Sequence, residues 1–484
     1  MIWKRSAVVK MSKSFYLTTA LPYVNAKPHI GYALEAVQAD VIARWRRLSG
    51  DEVFFNMGTD EHGLKVYQRA IEAGQDPQVY VDELVKSFLT LKHALNLSCD
   101  NFIRTTDAHH QQAAQAFWLK CRAAGDIYKK NYRIKYCVGC ELEKTDSELV
   151  EGECPLHPGR SPELIEEENY FFRFSRFADY LLELYDRCPE FVLPSHRLKE
   201  VRNFVADGLQ DFSISRRRDK LPWGVPVPDD ADQVMYVWFD ALVNYVSAIG
   251  WPDELAKFNQ WWPVVQFAGK DNLRQQAAMW QAMLASAGLP PSRQIMIHGF
   301  INSGGRKMSK SLGNVVDPLA LVETYGTDAL RYYLLRHLNS FEDSDYTEAG
   351  FKEIYNANLA NGLGNLTNRV LKLAETHLEV GRESAQLALP TAYETALADY
   401  QFNQVADLIW AKIGELDLRI QTDEPFKLIK TDRVAAVAII RELVDGLQLI
   451  SRMLEPLMPG TATAIKAVIE ANRMPVEPLF PRLD

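Results

Sequence analysis

The sequence predicts an α/β fold: a doubly wound parallel sheet, split by an insertion and followed by an all-α region. Three observations predict it. Strand-like and helix-like patterns alternate from about residue 15 to 126 and again from 234 to 300. Between them lies a stretch richer in charge, cysteine and proline. Beyond residue 347 only helical periodicity remains. Alternating strands and helices imply a mostly parallel sheet, and runs of helices alone imply a separate bundle.

Phe15 to Ala20 (Phe-Tyr-Leu-Thr-Thr-Ala) has the β-branched and aromatic content of a buried strand. A turn with Pro22, Asn25 and Pro28 follows. Gly31 to Leu48 then places Ala33, Val37, Val41 and Trp45 at helical spacing. A second strand, Val53 to Met57, leads into Gly-Thr-Asp-Glu-His-Gly, with another helix expected near Glu61. Strand, turn, helix, strand opens a doubly wound sheet, in which ligands sit beyond the carboxyl ends of the strands. Asp126 to about Asp232 reads as the insertion. Strands are expected again at Val234-Met-Tyr-Val-Trp, Val264-Val-Gln-Phe-Ala and Gln294-Ile-Met-Ile-His. Leu359, Leu363, Leu366 and Val370 illustrate the helical repeat that follows.

The 484 residues are 47% hydrophobic and 24% charged, which excludes disorder, collagen-like repeats and a small disulfide scaffold. That length suggests three or four units. The apolar-looking run Val234 to Trp251 is cut by Asp240, Asn244 and Ser247 and fails as a membrane span. Met1 to Phe15 carries basic residues and no continuous apolar core, so no secretory signal is expected and the location expected is cytoplasmic. The net charge of −9 (54 basic, 63 acidic) decides nothing about nucleic acid, because a local basic track suffices to bind it.

Two strings suit phosphate chemistry. Pro28-His29-Ile30-Gly31-Tyr32 stands at a helix N-terminus, where unpaired N–H groups favour an anion. Gly31 permits close approach and His29 can donate to a phosphate oxygen. Gly304-Gly305-Arg306-Lys307-Met308-Ser309-Lys310-Ser311 puts two lysines on a loop that its glycines are expected to make mobile. Cations on a closing loop meet charge as it develops at an α-phosphorus. No Walker A pattern occurs, which argues against a P-loop NTPase. Lys10-Met11-Ser12-Lys13-Ser14 repeats the pentapeptide, but ahead of the first strand, and receives no function.

In this order, on a split α/β domain, His-Ile-Gly and Lys-Met-Ser-Lys-Ser resemble the class I aminoacyl-tRNA synthetases. Leu21-Pro-Tyr-Val-Asn, Gly58-Thr-Asp-Glu-His-Gly, Tyr236-Val-Trp-Phe-Asp-Ala and Gly269-Lys-Asp are similar to the methionyl-tRNA synthetases in particular. The resemblance runs from about Phe15 to the last helices. It implies a Rossmann-like catalytic domain, first half 1–123 and second half 233–300, and an inserted connective domain at 124–232. A Lys-Met-Ser-Lys-Ser and stem-contact region at 301–357 and a helical anticodon-binding domain at 358–484 would complete the chain.

Cys137-x2-Cys140-x13-Cys154-x2-His157 pairs soft ligands at a spacing that suits a tetrahedral zinc, with no position left for water, so a structural metal is expected, one per chain. This matches the single zinc knuckle of the family. Asp60, at a strand end, suits an ammonium group. The resemblance places Leu21, Trp238, Ala241 and Tyr245 around a methionine side chain, with the Tyr245 hydroxyl near the sulfur. Two departures stand out: Tyr32 replaces the family's second motif histidine, and Gln275 and Gln276 replace its Phe-His pair. Both swaps keep hydrogen bonding, and neither residue becomes cationic near neutral pH.

For catalysis the resemblance implies His29, Arg216, Lys307 and Lys310, with Mg²⁺, acting on ATP. Gly31, Tyr32, Gly269, Asp271 and Ile301 would also bind the nucleotide. In the helical region it implies Asn365 and Arg369, four apart on one face, as anticodon readers and Phe426, in a loop between helices, as a stacking platform. The expected activity is ATP-dependent activation of L-methionine and transfer to tRNA(Met), elongator and initiator, by a monomer without a membrane partner. Synthetases for isoleucine, valine or leucine would need several hundred more residues for editing. A tRNA-binding paralogue without catalysis is the alternative that Tyr32 and Gln276 raise.

Overall fold

The structure is a computed structural model, and it describes residues 13–140, 142–144, 146–159, 161–308, 313–379 and 387–483. Two compact units interleave along the chain. One comprises Met1–Lys27, Arg46–Phe88 and Cys99–Ile297, the other Pro28–Trp45, Leu89–Ser98 and His298–Asp484.

The first unit is built on a six-stranded sheet. Its strands lie in the order Asn101–Arg104, Glu52–Thr59, Ser14–Thr19, Val264–Gly269, Gln294–His298, Val192–Leu193. Neighbouring pairs run parallel at 101–104 with 52–59, 52–59 with 14–19, 14–19 with 264–269, and 294–298 with 192–193. Ser14–Thr19 and Val264–Gly269 are almost wholly buried, as strands covered on both faces must be. The strand order reverses between these two, and that crevice is where an open α/β sheet binds its ligand.

Residues 124–232 hold a four-stranded antiparallel sheet in which Ile127–Cys137 pairs along its length with Glu163–Phe172. Within the same segment the chain also returns to the main sheet through Val192–Leu193. The strand expected at 234–238 is corrected. Asp230–Met235 belongs to a separate three-stranded sheet, and Val237–Leu242 is helical. An apolar run of this length fits a buried helix turn as well as a strand.

In the second unit, helix Ile30–Leu48 lies under a lattice of ionic and backbone bonds. Arg331, fully buried, pairs with Asp40 at 2.8 Å and donates to the carbonyls of Leu95, Pro456 and Leu457. Asp40 also accepts from Arg44 at 2.7 Å and from the Ser98 amide and hydroxyl. Burial opposes the Asp40 charge, yet these cationic and hydrogen-bonding neighbours hold its carboxyl below the ordinary range. Every polar group of the cluster thus has a partner, the condition under which a buried ion pair is tolerated. Long helices such as Phe402–Asp423 and Arg433–Leu454 complete the unit, each burying one apolar face. Among the described residues no helix is long and apolar enough to cross a membrane.

Candidate active site

The expected methionine pocket lies wholly in the first unit, just past the strand ends. Leu21 follows Ser14–Thr19 and is half-buried, while Asp60 follows Glu52–Thr59 and is buried. The loop that carries Asp60 is held on three sides. Glu61 accepts from Arg104 at 2.7 and 2.9 Å and from Thr59 at 2.6 Å, and its carbonyl accepts from the Trp223 ring N–H at 2.6 Å. His62 Nδ1 lies 2.7 Å from Asp240 Oδ2, joining the Gly-Thr-Asp-Glu-His-Gly and Tyr-Val-Trp-Phe-Asp-Ala strings. Burial pushes the Asp240 carboxyl up, against the pull of His62. The backbone of Asp60 itself is tied to Tyr23 and Val24 on the neighbouring connection. These bonds fix the backbone from which the buried Asp60 carboxylate projects.

Trp238 and Ala241 sit on helix Val237–Leu242, with the Trp238 ring edge-on to Tyr23 at 5.9 Å. The Trp238 ring N–H is buried with no hydrogen-bond partner among the described residues. Tyr245 is 1% and Gln276 2% exposed, and the Gln276 amide donates to the Tyr245 hydroxyl at 2.7 Å. Gln276 lies on a single π turn, Gln275–Met279, a helix irregularity frequent at functional sites. The structure thus joins Tyr245 and Gln276 directly. It also adds Gln266, Gln281 and Ser292, which sequence reasoning missed. Gln266 had left a signal: it is the one polar residue in Val264-Val-Gln-Phe-Ala.

Gly269 ends its strand buried, and Asp271 is exposed on the turn that follows. Arg216 is buried. It donates to the Ser213 hydroxyl and the Ser215 carbonyl, both at 2.7 Å, and lies over the rings of Tyr136 at 5.1 Å and Tyr236 at 4.7 Å. Tyr136 and Tyr236 pack in one cluster with Val237, Tyr23 and Trp238. Tyr136 adjoins Cys137, so this cluster links the pocket wall to the cysteine group.

Cys137, Cys140, Cys154 and His157 bring their ligand atoms within 4.8 Å of one another. Cys140 Sγ lies 3.5 Å from Cys154 Sγ, and His157 Nδ1 lies 3.3, 3.8 and 3.9 Å from Cys140, Cys137 and Cys154. Tetrahedral bonds of zinc length require edges of about 3.5–3.8 Å. The set fits that ion. Gly139 is needed here, because a Cβ on it would lie 2.5 Å from the His157 ring.

The two strings expected to bind phosphate lie in the second unit. His29 is exposed, and its Nδ1 accepts the Gly31 amide at 3.0 Å. In the neutral ring that bond puts the proton on Nε2, making it the donor. A Cβ on Gly31 would meet His29 at 2.8 Å, so glycine is required for the fold-back. Tyr32 and Ile301 are buried. The amide of Ile30 donates to the Val316 carbonyl at 3.1 Å, tying this helix start to the chain just beyond the second string. Gly304 and Gly305 both take positive φ in a two-residue turn between Ile301–Ser303 and Arg306–Lys307. Two glycines at positive φ form the turn that best matches strand twist. Lys307 is exposed, its ammonium 5.0 Å from the Phe300 ring. Lys310 lies outside the described residues.

In the helical region Asn365 is exposed on the first turn of Asn365–His377. Arg369, one turn on, pairs with Asp417 at 2.5 Å, each side chain 31% exposed. Phe426 is 46% exposed, on the short helix Pro425–Leu428 that replaces the expected loop.

Comparison with known proteins finds relatives over most of the chain. The family described as tRNA synthetases class I (M) matches residues 15–159 and 156–371. The methionine–tRNA ligase of Nostoc sp. is 40% identical over 483 residues, 95% of this chain and 90% of that one. The ligase of Thermosynechococcus vestitus is 43% identical over 478 residues, covering 94% and 90%. A structure of Mycobacterium tuberculosis methionyl-tRNA synthetase in complex with methionyl-adenylate superposes with TM-score 0.89 at 36% identity, covering 97% of this chain and all of that one.

Proposed function

The chain belongs to the class I tRNA synthetases of the methionine group, and from that premise we propose how its residues divide the work. It activates methionine with ATP to methionyl-adenylate and charges tRNA. The buried Asp60 carboxylate and the buried Tyr245–Gln276 pair carry the amino-acid assignment. Asp60 takes the ammonium group, and Leu21, Trp238, Ala241, Tyr245 and Gln276 enclose the side chain. The Tyr245 hydroxyl faces the sulfur.

ATP would be held by His29, Gly31, Tyr32, Gly269, Asp271 and Ile301, and by Lys307 and Lys310, and would arrive with Mg²⁺. The methionine carboxylate attacks the α-phosphorus, and pyrophosphate leaves with the bonding electron pair. Charge grows on the phosphate oxygens in that step, so His29 Nε2–H, Lys307 and Lys310 stabilise the transition state more than the ground state. Arg216 is the remaining catalytic cation of this reading. It also braces Tyr136 and Tyr236, so its loss would raise the methionine KM as well as slow activation. The 2′-hydroxyl of the terminal adenosine of tRNA(Met) then attacks the carbonyl, and AMP leaves.

One Zn²⁺ per chain on Cys137, Cys140, Cys154 and His157 would close the knuckle that supports Tyr136. Asn365 and Arg369 would read anticodon bases of elongator and initiator tRNA(Met), and Phe426 would stack under one. A cytoplasmic monomer without a membrane partner completes the reading. Methionine-dependent ATP–pyrophosphate exchange tests it: strong exchange is expected with methionine and near-background rates with leucine and isoleucine. No exchange with methionine would leave only the tRNA-binding alternative.

A further inference from the structure

A glutamine amide can face either way, and only its surroundings decide which end donates. Behind Tyr245, two backbone groups decide it for a whole chain of side chains. The Ser292 amide is an obligatory donor, and it lies 3.0 Å from the Gln281 side chain, which must therefore present Oε1. The other end of that amide lies 2.8 Å from the Gln276 carbonyl, an obligatory acceptor, which agrees. Gln281 Nε2 also donates to the Ser292 hydroxyl at 3.2 Å. The hydroxyl proton of Ser292 then points to Gln266, at 2.6 Å, a length typical of O–H···O and short for N–H···O. Gln266 consequently turns Oε1 to Ser292 and Nε2 to Gln276 Oε1, at 2.7 Å. Gln276 is left with Nε2 toward the Tyr245 hydroxyl, at 2.7 Å. Gln266, Gln276, Gln281 and Ser292 are all under 5% exposed, so water is kept from scrambling the order.

We propose that this directed relay, from Ser292 through Gln266 and Gln276, holds the Tyr245 hydroxyl as a hydrogen-bond donor and so makes the pocket select a side chain with an acceptor, the thioether sulfur, over an isosteric hydrocarbon. The proposal rests on the placement of Tyr245 against the methionine side chain given above. Gln266, Gln281 and Ser292 are positioning residues: they act on specificity through Gln276 and Tyr245. A site built to hydrogen-bond its substrate rejects the analogue that lacks the group more strongly than a merely apolar pocket does.

Gln266→Glu tests the relay with little change of shape. A carboxylate accepts from Ser292 but has no proton for Gln276. The Gln276 amide then turns its donor to Glu and its Oε1 to Tyr245, and the hydroxyl spends its proton inward. The quantity to measure is the ratio of kcat/KM for methionine to that for norleucine, in ATP–pyrophosphate exchange. Gln266→Glu is expected to lower the ratio about tenfold, toward the value of Tyr245→Phe, and to lower it no further when the two are combined. Ser292→Ala, which buries no charge, should move the ratio the same way if Gln266→Glu fails to fold. A ratio held within twofold of the native value in Gln266→Glu or Ser292→Ala, while Tyr245→Phe lowers it, overturns the relay. A native ratio that Tyr245→Phe leaves unchanged overturns it too, by removing the tyrosine from the sulfur. Absent methionine exchange in the native protein is a different failure, since it removes the functional reading and the relay with it.

Discussion

Of the side chains assigned to methionine in the first unit, Asp60, Ala241, Tyr245 and Gln276 are buried and Leu21 and Trp238 half-buried; all but Asp60 are uncharged, and Gln276, Gln266 and Ser292 are hydrogen-bonded in series behind Tyr245. In the second unit the residues assigned to the anticodon are outside: Asn365 and Phe426 are exposed, and Arg369 shares a surface ion pair with Asp417. The two regions solve recognition in opposite ways. A buried polar network is costly when any member lacks a partner, so it is rigid and intolerant of error. Surface contacts cost little to hold ready and give back little each. Changes in the pocket should therefore alter which amino acid is chosen, and changes on the helical unit should alter how tightly tRNA is held.

The largest effect is expected where a cationic side chain meets a transition state. Lys310→Ala should lower activation by roughly 10²–10³, the scale of losing one such donor. Lys13→Ala, in the repeated pentapeptide, should change nothing. Exchange kinetics on both variants checks this, and equal losses would break the motif assignment. Next comes the knuckle. Elemental analysis should find one zinc per chain. Cys140→Ser should abolish it and weaken methionine charging about tenfold, because the cluster of Tyr136, Tyr236 and Trp238 loses its support. Zinc-depleted protein that charges normally would cut that link.

Phe426→Ala should cost about 1–3 kcal/mol in the tRNA step, the range for a lost base–aromatic stack, so charging should fall relative to exchange. Phe426→Trp should charge as well or better. If alanine lowers the melting temperature and leaves tRNA affinity intact, Phe426 is a plug of the bundle. The smallest effect concerns Arg369, which must leave Asp417 to read a base. Asp417→Asn removes a pair worth at most about 1 kcal/mol, so the tRNA KM should fall up to about fivefold, an increase being the contrary result.

Much of this was legible in the sequence. Strands at 14–19, 264–269 and 294–298 announce themselves because a strand covered on both faces is rich in apolar, β-branched and aromatic residues. The grouping of Cys137, Cys140, Cys154 and His157 shows because double x2 spacing is local. What failed was short, ambiguous or distant. Val192–Leu193 is too brief to leave a period, and Val237–Leu242 is as apolar as a strand. Gly304-Gly305 makes a two-residue hairpin turn whose flanking strands, Ile301–Ser303 and Arg306–Lys307, are too short to leave a period. Asp417 is 48 residues from Arg369, and the Gln266–Ser292 contact spans 26, so no local pattern reports either.

That a neutral relay lines the methionine pocket is tested most directly by making it titrate. The methionine KM would be followed from about pH 6 to 8 in the native protein and in Gln276→His. A histidine there changes charge within that range, whereas glutamine does not. The variant's profile is expected to depart from the native one across this interval. Superimposable profiles, with methionine affinity also unchanged, would place Gln276 outside the pocket and contradict the account.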